Sequence, residues 1–562
     1  MSSRWLATLP FVAGALVAAH AGDRAARGPS APRVRRDGCT VTLLDSAAQP
    51  GSAWAPPAVA REFRGAWVSP VESGEWPSRT GMSDAEQQTE LQGLLDRAAA
   101  IGLNAVILHV RPAADALYPT TRAPWSSYLV GRGGVPGYDP LAYAVREAHR
   151  RGLQLHVWFN PFRAAPPDRR EPAGAQRIAG QHPEWLVRYG SQRWIDPGFP
   201  EARKDVLGSL FEVVDRYDID ALHLDDYFYP YREEETVTRR VRVGRRVRRV
   251  RTTETIAFDD ARSWARYGAG EDRAAWRREN VSDFVRQLYA GVKARKPWVL
   301  VGISPFGIWR PGSPAGVSGL DAYEEIYADS RRWLREGWVD YLAPQLYWAS
   351  DGEQARFRRL DAWWRGENSQ RRHVWPGLLT MRVAEGHNKW PASEIAHEIE
   401  LLRAARAPAG ESQGHVHFRL KSLLADAAGA LGDRLAGTLY AAPALPPASP
   451  WLDATVPAAP RFAGCAAVGG TAAGGAAAGG GAADVLTVAA GDSTRVRWWL
   501  ASWRDARGGW TTRVLPGETP LVSARFRSGE DADAVAVAAV SATGVVGPSL
   551  VLRPGTAVVG AR

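Results

Sequence analysis

Asp220-Ala-Leu-His-Leu-Asp-Asp-Tyr-Phe-Tyr-Pro230 is the stretch on which the fold turns. Its first part reads as a strand, Ile219–Asp226. Successive side chains of a strand point to opposite faces. Ala221, His223 and Asp225 therefore share one face, against Leu222 and Leu224. The same parity recurs in Leu153–Asn160, where Gln154, His156, Trp158 and Asn160 oppose Leu155, Val157 and Phe159. It recurs in Tyr341–Tyr347, where Tyr341, Ala343, Gln345 and Tyr347 oppose Leu342, Pro344 and Leu346. An apolar outer face with a mixed inner face suits a barrel covered by helices, with its active site at the C-terminal mouth.

Working outward, eight candidate strands appear in order: Phe63–Ser69, Asn104–Arg111, Leu153–Asn160, Ile219–Asp226, Val299–Ser304, Val339–Tyr347, His373–Leu379 and His415–Leu420. Helical patterns such as Ala85–Ile101, Leu141–Arg151, Glu201–Tyr217, Asn280–Lys296 and Ala392–Ala405 separate them. The alternation predicts an α/β fold, a (β/α)8 TIM barrel over residues 61–440. A doubly wound open sheet is the alternative. Residues 441–456, rich in Pro and Ala, read as a linker. From 457 to 562 short strands separated by Gly- and Asp-containing turns predict a small all-β sandwich of fibronectin type III-like appearance. The Gly/Ala tract 469–483 reads as a loop inserted in it.

The chain has 562 residues, enough for two to four domains, and 45% are hydrophobic, so a large core is possible. The 24 Trp serve either as bulky core or as sugar-stacking surface. Net charge is +10, which draws a protein toward anionic polymers. No aromatic-basic signature accompanies it, so nucleic acid is not the expected partner. Arg4, the apolar run Trp5–Ala19 and Ala19-His20-Ala21 read as a secretory signal peptide over 1–21, followed by a flexible leader over 22–60. The run is short for a membrane span, and no Cys follows it directly. The expected product is secreted, extracellular or cell-wall associated, with no stable membrane anchor after cleavage. Export permits a disulfide between Cys39 and Cys465, the only two cysteines; two unpaired thiols are the alternative.

Asp225 points inward at its strand tip and Asp226 begins the loop. Burial of one carboxyl beside another raises a pKa, as a general acid requires. The plainer reading is a carboxylate pair that caps a helix or pairs with Arg. Tyr227 and Tyr229 follow and offer stacking surface. Other strand ends contribute Glu72 and Glu75, Arg111 and Asp115, Asn160 and Arg163, Ser304 and Trp309, Gln345, Tyr347 and Trp348, and His417 and Arg419. Each alone is more often structural. Asp225, Asp226, Asp115 and Glu75 are the catalytic candidates. Arg111, Asn160, His223, Tyr227, Tyr229, Trp309, Gln345, Tyr347 and Trp348 are the substrate-binding ones. No metal site is expected.

The segments Arg64-Gly-Ala-Trp-Val-Ser, Leu108-His-Val-Arg-Pro-Ala-Ala-Asp-Ala-Leu-Tyr118, His156-Val-Trp-Phe-Asn-Pro161, His182-Pro-Glu-Trp185, Asp196-Pro-Gly198, His223-Leu-Asp-Asp-Tyr-Phe-Tyr-Pro230, Gly302-Ile-Ser-Pro-Phe-Gly-Ile-Trp309 and Ala343-Pro-Gln-Leu-Tyr-Trp348 resemble the glycosyl hydrolase-like 10 family. The resemblance implies an exported bacterial barrel glycosidase without metal or organic cofactor. One branch of the family is linked to trimming peptidoglycan strands stripped of stem peptides. The implied partner is a polysaccharide such as an anionic cell-wall glycan. Two departures stand out. Where the family has an Asn-hydrophobic-Asp-Trp-Pro run, this chain has Ser73-Gly-Glu-Trp-Pro77. After Tyr231 comes an insert with eight arginines between Arg239 and Arg251, readable as a two-stranded basic flap or as a disordered insertion.

Glycoside hydrolysis needs an acid and a base or nucleophile. The partner of the Asp225–Asp226 pair is either Asp115 or Glu75, or the substrate's own N-acetyl group, by analogy with chitinase-type barrels, with Gln345 or Tyr347 holding the acetamide. The alternative function is a non-catalytic carbohydrate- or cell-wall-binding protein on a barrel scaffold.

Overall fold

The computed structural model describes residues 33–36, 39–45, 52, 54–71, 74–130, 134–167, 172–243, 246–270, 272–384, 389–406, 413–424, 426–466, 485–493, 495–518, 521–523 and 532–554. The segment 1–21, expected as a signal peptide, the Gly/Ala tract and the side chains of Cys39 and Cys465 lie outside the described residues. Among the described residues no helix is long and apolar enough to cross a membrane.

One parallel sheet organises residues 61–440. Its strands are β1 (Phe63–Val68), β2 (Ala105–Arg111), β3 (Gln154–Phe159), β4 (Ala221–Leu224), β5 (Leu300–Ile303), β6 (Tyr341–Leu342), β7 (His373–Val374 with Gly377–Leu378) and β8 (Gly414–His417). They pair in sequence order from β1 to β7. The first half of β7 pairs with β6 and the second half with β8, which returns to β1. The sheet thus curls back on itself. Trp375-Pro376 divides β7, because Pro has no N–H for the ladder. Pro344 likewise ends regular pairing in β6, and isolated bridges at Gln345 continue the contact to Phe306 and Gly377.

A helix follows each strand, among them Asp84–Ile101, Pro200–Arg216 and Arg273–Arg295. The first shows how local sequence sets the bounds. Ser83 and Glu86 form a capping box at its start, and Gly102 ends it at a φ of 94°. The strand parity separates two cores. Leu155, Val157, Phe159, Leu222, Leu224 and Leu342 pack outward under the helices. Phe63, Trp67, Ile107, Trp158, Ala221, Tyr341 and Trp375 fill the lumen. Phe63 stacks on Trp375 with centroids 3.9 Å apart and closes the bottom.

Strands before and after the barrel region build two further antiparallel sheets. One runs Arg33–Arg36, Cys39–Asp45, Leu550–Pro554, Ala534–Ser541, Val496–Arg504, Trp510–Pro516, and the other Arg461–Ala466, Val485–Ala489, Leu521–Ser523. Val41, Phe462, Leu486, Trp499, Val535 and Leu552 share one core between them. Two sequence expectations change here. Arg33–Arg36 and Cys39–Asp45, expected within a flexible leader, are two strands of the larger sheet, because Cys39–Asp45 finds its partner Leu550–Pro554 some five hundred residues away. Residues 441–456, expected as a linker, are tied down. Ala444–Leu445 pairs with Ala60–Arg61, and Trp451 Nε1 donates to Asp340 Oδ1 at 2.9 Å.

The sheets dock on the barrel floor through Arg497. Its guanidinium donates to Asp220 Oδ1 (Nε, 2.8 Å) and to Asp218 Oδ2 (Nη1, 2.8 Å). Asp220 precedes β4 and also accepts from Leu155 N at 2.8 Å. The Arg497 charge holds the buried Asp220 carboxyl well below the usual carboxylate range. Arg497→Ala leaves that carboxylate buried without its cation, which costs about 3–5 kcal/mol. We expect a clearly lower melting temperature by calorimetry above pH 5, where the ionised Asp220 contributes, and a smaller loss as pH falls below 4. An unchanged melting temperature contradicts this docking role.

Candidate active site

Asp225 and Asp226 end β4 at the C-terminal mouth and are 5% and 1% exposed. Asn160, just past β3, donates from Nδ2 to Asp225 Oδ2 at 3.2 Å. Its own Oδ1 accepts from Arg163 N at 3.2 Å. The Trp158 indole N–H faces Asp225 without reaching hydrogen-bond geometry. Tyr231 donates its hydroxyl to Asp226 Oδ2, and Gln345 lies against the same carboxyl. Arg163 serves both acids through space, with its guanidinium 4.9 Å from the Tyr227 ring centre.

Burial, reinforced by the neighbouring Asp226, pushes the Asp225 carboxyl up to about 7. Burial pushes Asp226 up to about 6, opposed chiefly by the Tyr231 hydrogen bond. Two adjacent carboxyls out of water titrate as a unit, and the pair holds about one proton near neutrality. Asp226, with the stronger donors, carries the charge. Asp225 keeps the proton.

Beneath the pair runs a directional chain. Trp67 Nε1–H only donates, so His223 Nε2, 3.1 Å away, accepts. His223 Nδ1 then donates to Tyr341 OH at 2.9 Å, Tyr341 donates to His156 Nδ1 at 3.0 Å, and His156 Nε2 donates to Gln154 Oε1 at 3.2 Å. The chain requires both imidazoles neutral. Burial holds His156 near 4 and His223 well below its ordinary value. Around the mouth stand half-buried aromatics. Tyr231 packs edge-on against Tyr227 and Phe306, and Phe306 edge-on against Trp348, while Tyr347 lies tilted against Phe418.

The sequence candidates divide accordingly. Asn160, Tyr227, Gln345, Tyr347 and Trp348 gather with Asp225 and Asp226. Six others do not. Arg111 is buried behind the loop after β3 and donates to the Asn160 and Pro161 carbonyls, each at 3.2 Å. Asp115 is fully buried and accepts from Ala113 N at 3.0 Å. Glu75 accepts from Ser69 N at 3.0 Å and Lys421 N at 2.8 Å, and burial pushes it up to about 7. His223 belongs to the lumen chain. Tyr229 packs outward against Phe258 and Tyr327. Trp309 donates to Asp329 Oδ1 at 3.1 Å and stacks on Trp363.

Tyr231, Phe306 and Phe418 complete the site and were not among the candidates. The only sequence signal for Tyr231 is its place one residue beyond the Asp-Asp-Tyr-Phe-Tyr-Pro run. His109 also faces the site, stacked on Trp158 at 3.8 Å with Nδ1 against Ser69 Oγ at 3.0 Å. Among the described residues no group of three or more His, Cys, Asp or Glu could hold a metal ion.

Known proteins are similar in sequence over this region. The family model described as glycosyl hydrolase-like 10 matches residues 62–392. The chain belongs to the glycosyl hydrolase-like 10 family. It is 38% identical over 414 residues to glycosyl hydrolase YngK of Bacillus subtilis (strain 168), covering 72% of this chain and 76% of that relative. It is 33% identical over 374 residues to glycosyl hydrolase DigH of Escherichia coli (strain K12), covering 62% and 80%. A solved structure, the PgaB (BpsB) glycoside hydrolase domain from Bordetella bronchiseptica, is 14% identical with a TM-score of 0.43, covering 66% of this chain and 98% of that one. The glycosyl hydrolase-like 10 match contains Asp225, Asp226, Asn160, Arg163, Tyr231 and Gln345, and ends before Phe418.

A carboxyl whose folded pKa is raised binds more protons folded than unfolded, so it costs stability as pH rises from about 4 to about 7. Asp225→Asn removes that cost, on the order of 3 kcal/mol. The variant should therefore gain stability over the parent protein between pH 4.5 and pH 8 in thermal unfolding. An equal difference at both pH values contradicts the raised pKa.

Proposed function

We propose that this protein is an exported glycoside hydrolase that cleaves O-glycosidic bonds in a bacterial polysaccharide, namely peptidoglycan glycan strands. The buried Asp225–Asp226 pair, one carboxyl protonated and one ionised near neutrality, carries the proposal. An aromatic-rimmed mouth gives sugar rings surfaces to stack on. Asp225 donates its proton to the glycosidic oxygen as the bond to the anomeric carbon breaks. The ionised Asp226 lies on the same strand tip and does not flank the bond from the opposite face. Glu75 accepts from the Ser69 and Lys421 N–H groups and Asp115 from the Ala113 N–H, apart from the residues gathered at the pair, and this reading assigns neither as the second carboxylate.

The substrate's N-acetyl oxygen therefore attacks the anomeric carbon. Asp226 accepts from the acetamide N–H, with Tyr347 and Gln345 beside it. Water then opens the cyclic intermediate, losing its proton to Asp225 and restoring the acetamide. Export by the 1–21 segment and a wall-associated location belong to the same reading. So does a fibronectin type III-like role for the two antiparallel sheets, and a Cys39–Cys465 disulfide.

Peptide-stripped glycan strands incubated with the full chain should release fragments detected by mass spectrometry. Asp225→Asn and Asp226→Asn should each lower release by about 100-fold or more. Chemically de-N-acetylated strands should resist cleavage. Near-normal hydrolysis by both variants overturns the assignment. Binding without any product from the unaltered protein identifies a non-catalytic binding protein instead.

A further inference from the structure

The arginine-rich insert is a regular hairpin. Glu234–Val243 and Arg246–Thr255 pair antiparallel without a register break, from Glu234 opposite Thr255 to Val243 opposite Arg246. Ten residues per strand give a ribbon of roughly 34 Å. Its root is fixed at the site. Tyr231, the donor to Asp226, lies three residues before it, and at its base Ile256 N donates to Glu233 O at 2.9 Å. Glu233 N is held by Tyr189 OH at 3.1 Å and Glu233 Oε1 by Gln192 at 2.6 Å, so the root cannot swing freely.

The register sorts the charges. Arg242, Arg249 and Arg251 fall on one face with Thr238, and all four are exposed. Backbone pairing sets Arg240 directly opposite Arg249 on that face. On the other face Arg239 is neutralised by Glu254 at 2.8 Å. Among the described residues no ion pair neutralises Arg242, Arg249 or Arg251. Like charges directly opposite destabilise a strand pair, and a lone two-stranded hairpin is marginal in water. A ribbon that exposes the guanidiniums of Arg242, Arg249 and Arg251 along one face is stabilised by an anion laid along it. Guanidinium forks match carboxylates in pairs.

We infer that this hairpin is a binding flap for a carboxylate-bearing glycan, gripping sugars beyond the cleavage point. The inference rests on the proposed reading of the mouth as a glycan site and names its substrate class. The matching chemistry is the lactyl carboxylate that alternate sugars of a peptide-stripped peptidoglycan strand expose.

The test is co-sedimentation of the full chain carrying Asp225→Asn with such strands, beside strands whose carboxyls have been amidated. Binding is read without catalysis, so a failure of the hydrolase reading is seen separately. Two variants are compared in that background: Arg242→Glu/Arg249→Glu/Arg251→Glu, and replacement of residues 234–255 by two glycines joining Glu233 to Ile256. Both should bind carboxylate strands at least about tenfold more weakly, with a shallower salt dependence, and bind amidated strands as the parent does. Arg-to-Lys replacement at the same three positions keeps the charge but not the fork, so it should weaken binding less than the Glu variant does and shows that the fold tolerates change there. Unaltered binding by both variants overturns the inference. So does an equal loss on both kinds of strand, or competition by duplex DNA as effective as that by the carboxylate glycan.

Discussion

Two adjacent carboxyl groups withdrawn from water cannot both ionise cheaply, and the architecture of the mouth follows from that constraint. Asn160 and Arg163 from one loop, with Tyr231 and Gln345 from two others, converge on Asp225 and Asp226. Their unequal distribution separates the two carboxyls. Asp226 receives the phenol and the amide. Asp225 receives two longer contacts, from the Asn160 amide at 3.2 Å and the Tyr227 N–H at 3.4 Å, and keeps the proton. Arg163 lowers both without ion-pairing with either, so neither acid is locked in the charged form.

The floor beneath the pair must be polar yet closed. The chain from Trp67 to Gln154 meets that need by satisfying each imidazole with one donor and one acceptor. It keeps His223 and His156 neutral, so no cation lies directly under Asp225 to pull its pKa down. Further below, Arg497 closes the barrel base by pairing with Asp220, the residue five positions before Asp225 on the same strand segment. One strand therefore carries an acid held ionised at its foot and a pair holding a proton at its tip. The difference is a matter of which cation reaches each end.

Most of the barrel was legible in the sequence because strand parity is local. The alternation in Leu153–Asn160, Ile219–Asp226 and Tyr341–Tyr347 reports the two faces directly, and the lumen and outer cores follow it. What depended on distant pairing was not legible. Cys39–Asp45 has strand-like alternation, but its composition resembles a leader until Leu550–Pro554 is set beside it. At the site, parity and strand ends found Asp225, Asp226, Asn160, Gln345 and Tyr347. They also selected Arg111, Glu75 and Trp309, because position at a strand end does not say which way a loop side chain turns. The β-bulge between His109 and Arg111 is one such turn. Tyr231 was missed because its role lies in a loop that returns over Asp226, and no periodicity records that return.

The central claim is that the Asp225–Asp226 pair retains a proton near neutral pH. Carbon-13 carboxyl NMR on the selectively labelled full chain, with Asp225→Asn and Asp226→Asn for assignment, tests it most directly. The account predicts that one of the two carboxyls remains protonated at about pH 6.5, and that removing either acid lowers the pKa of the other. Two independent titrations, both complete below about pH 5, would contradict it.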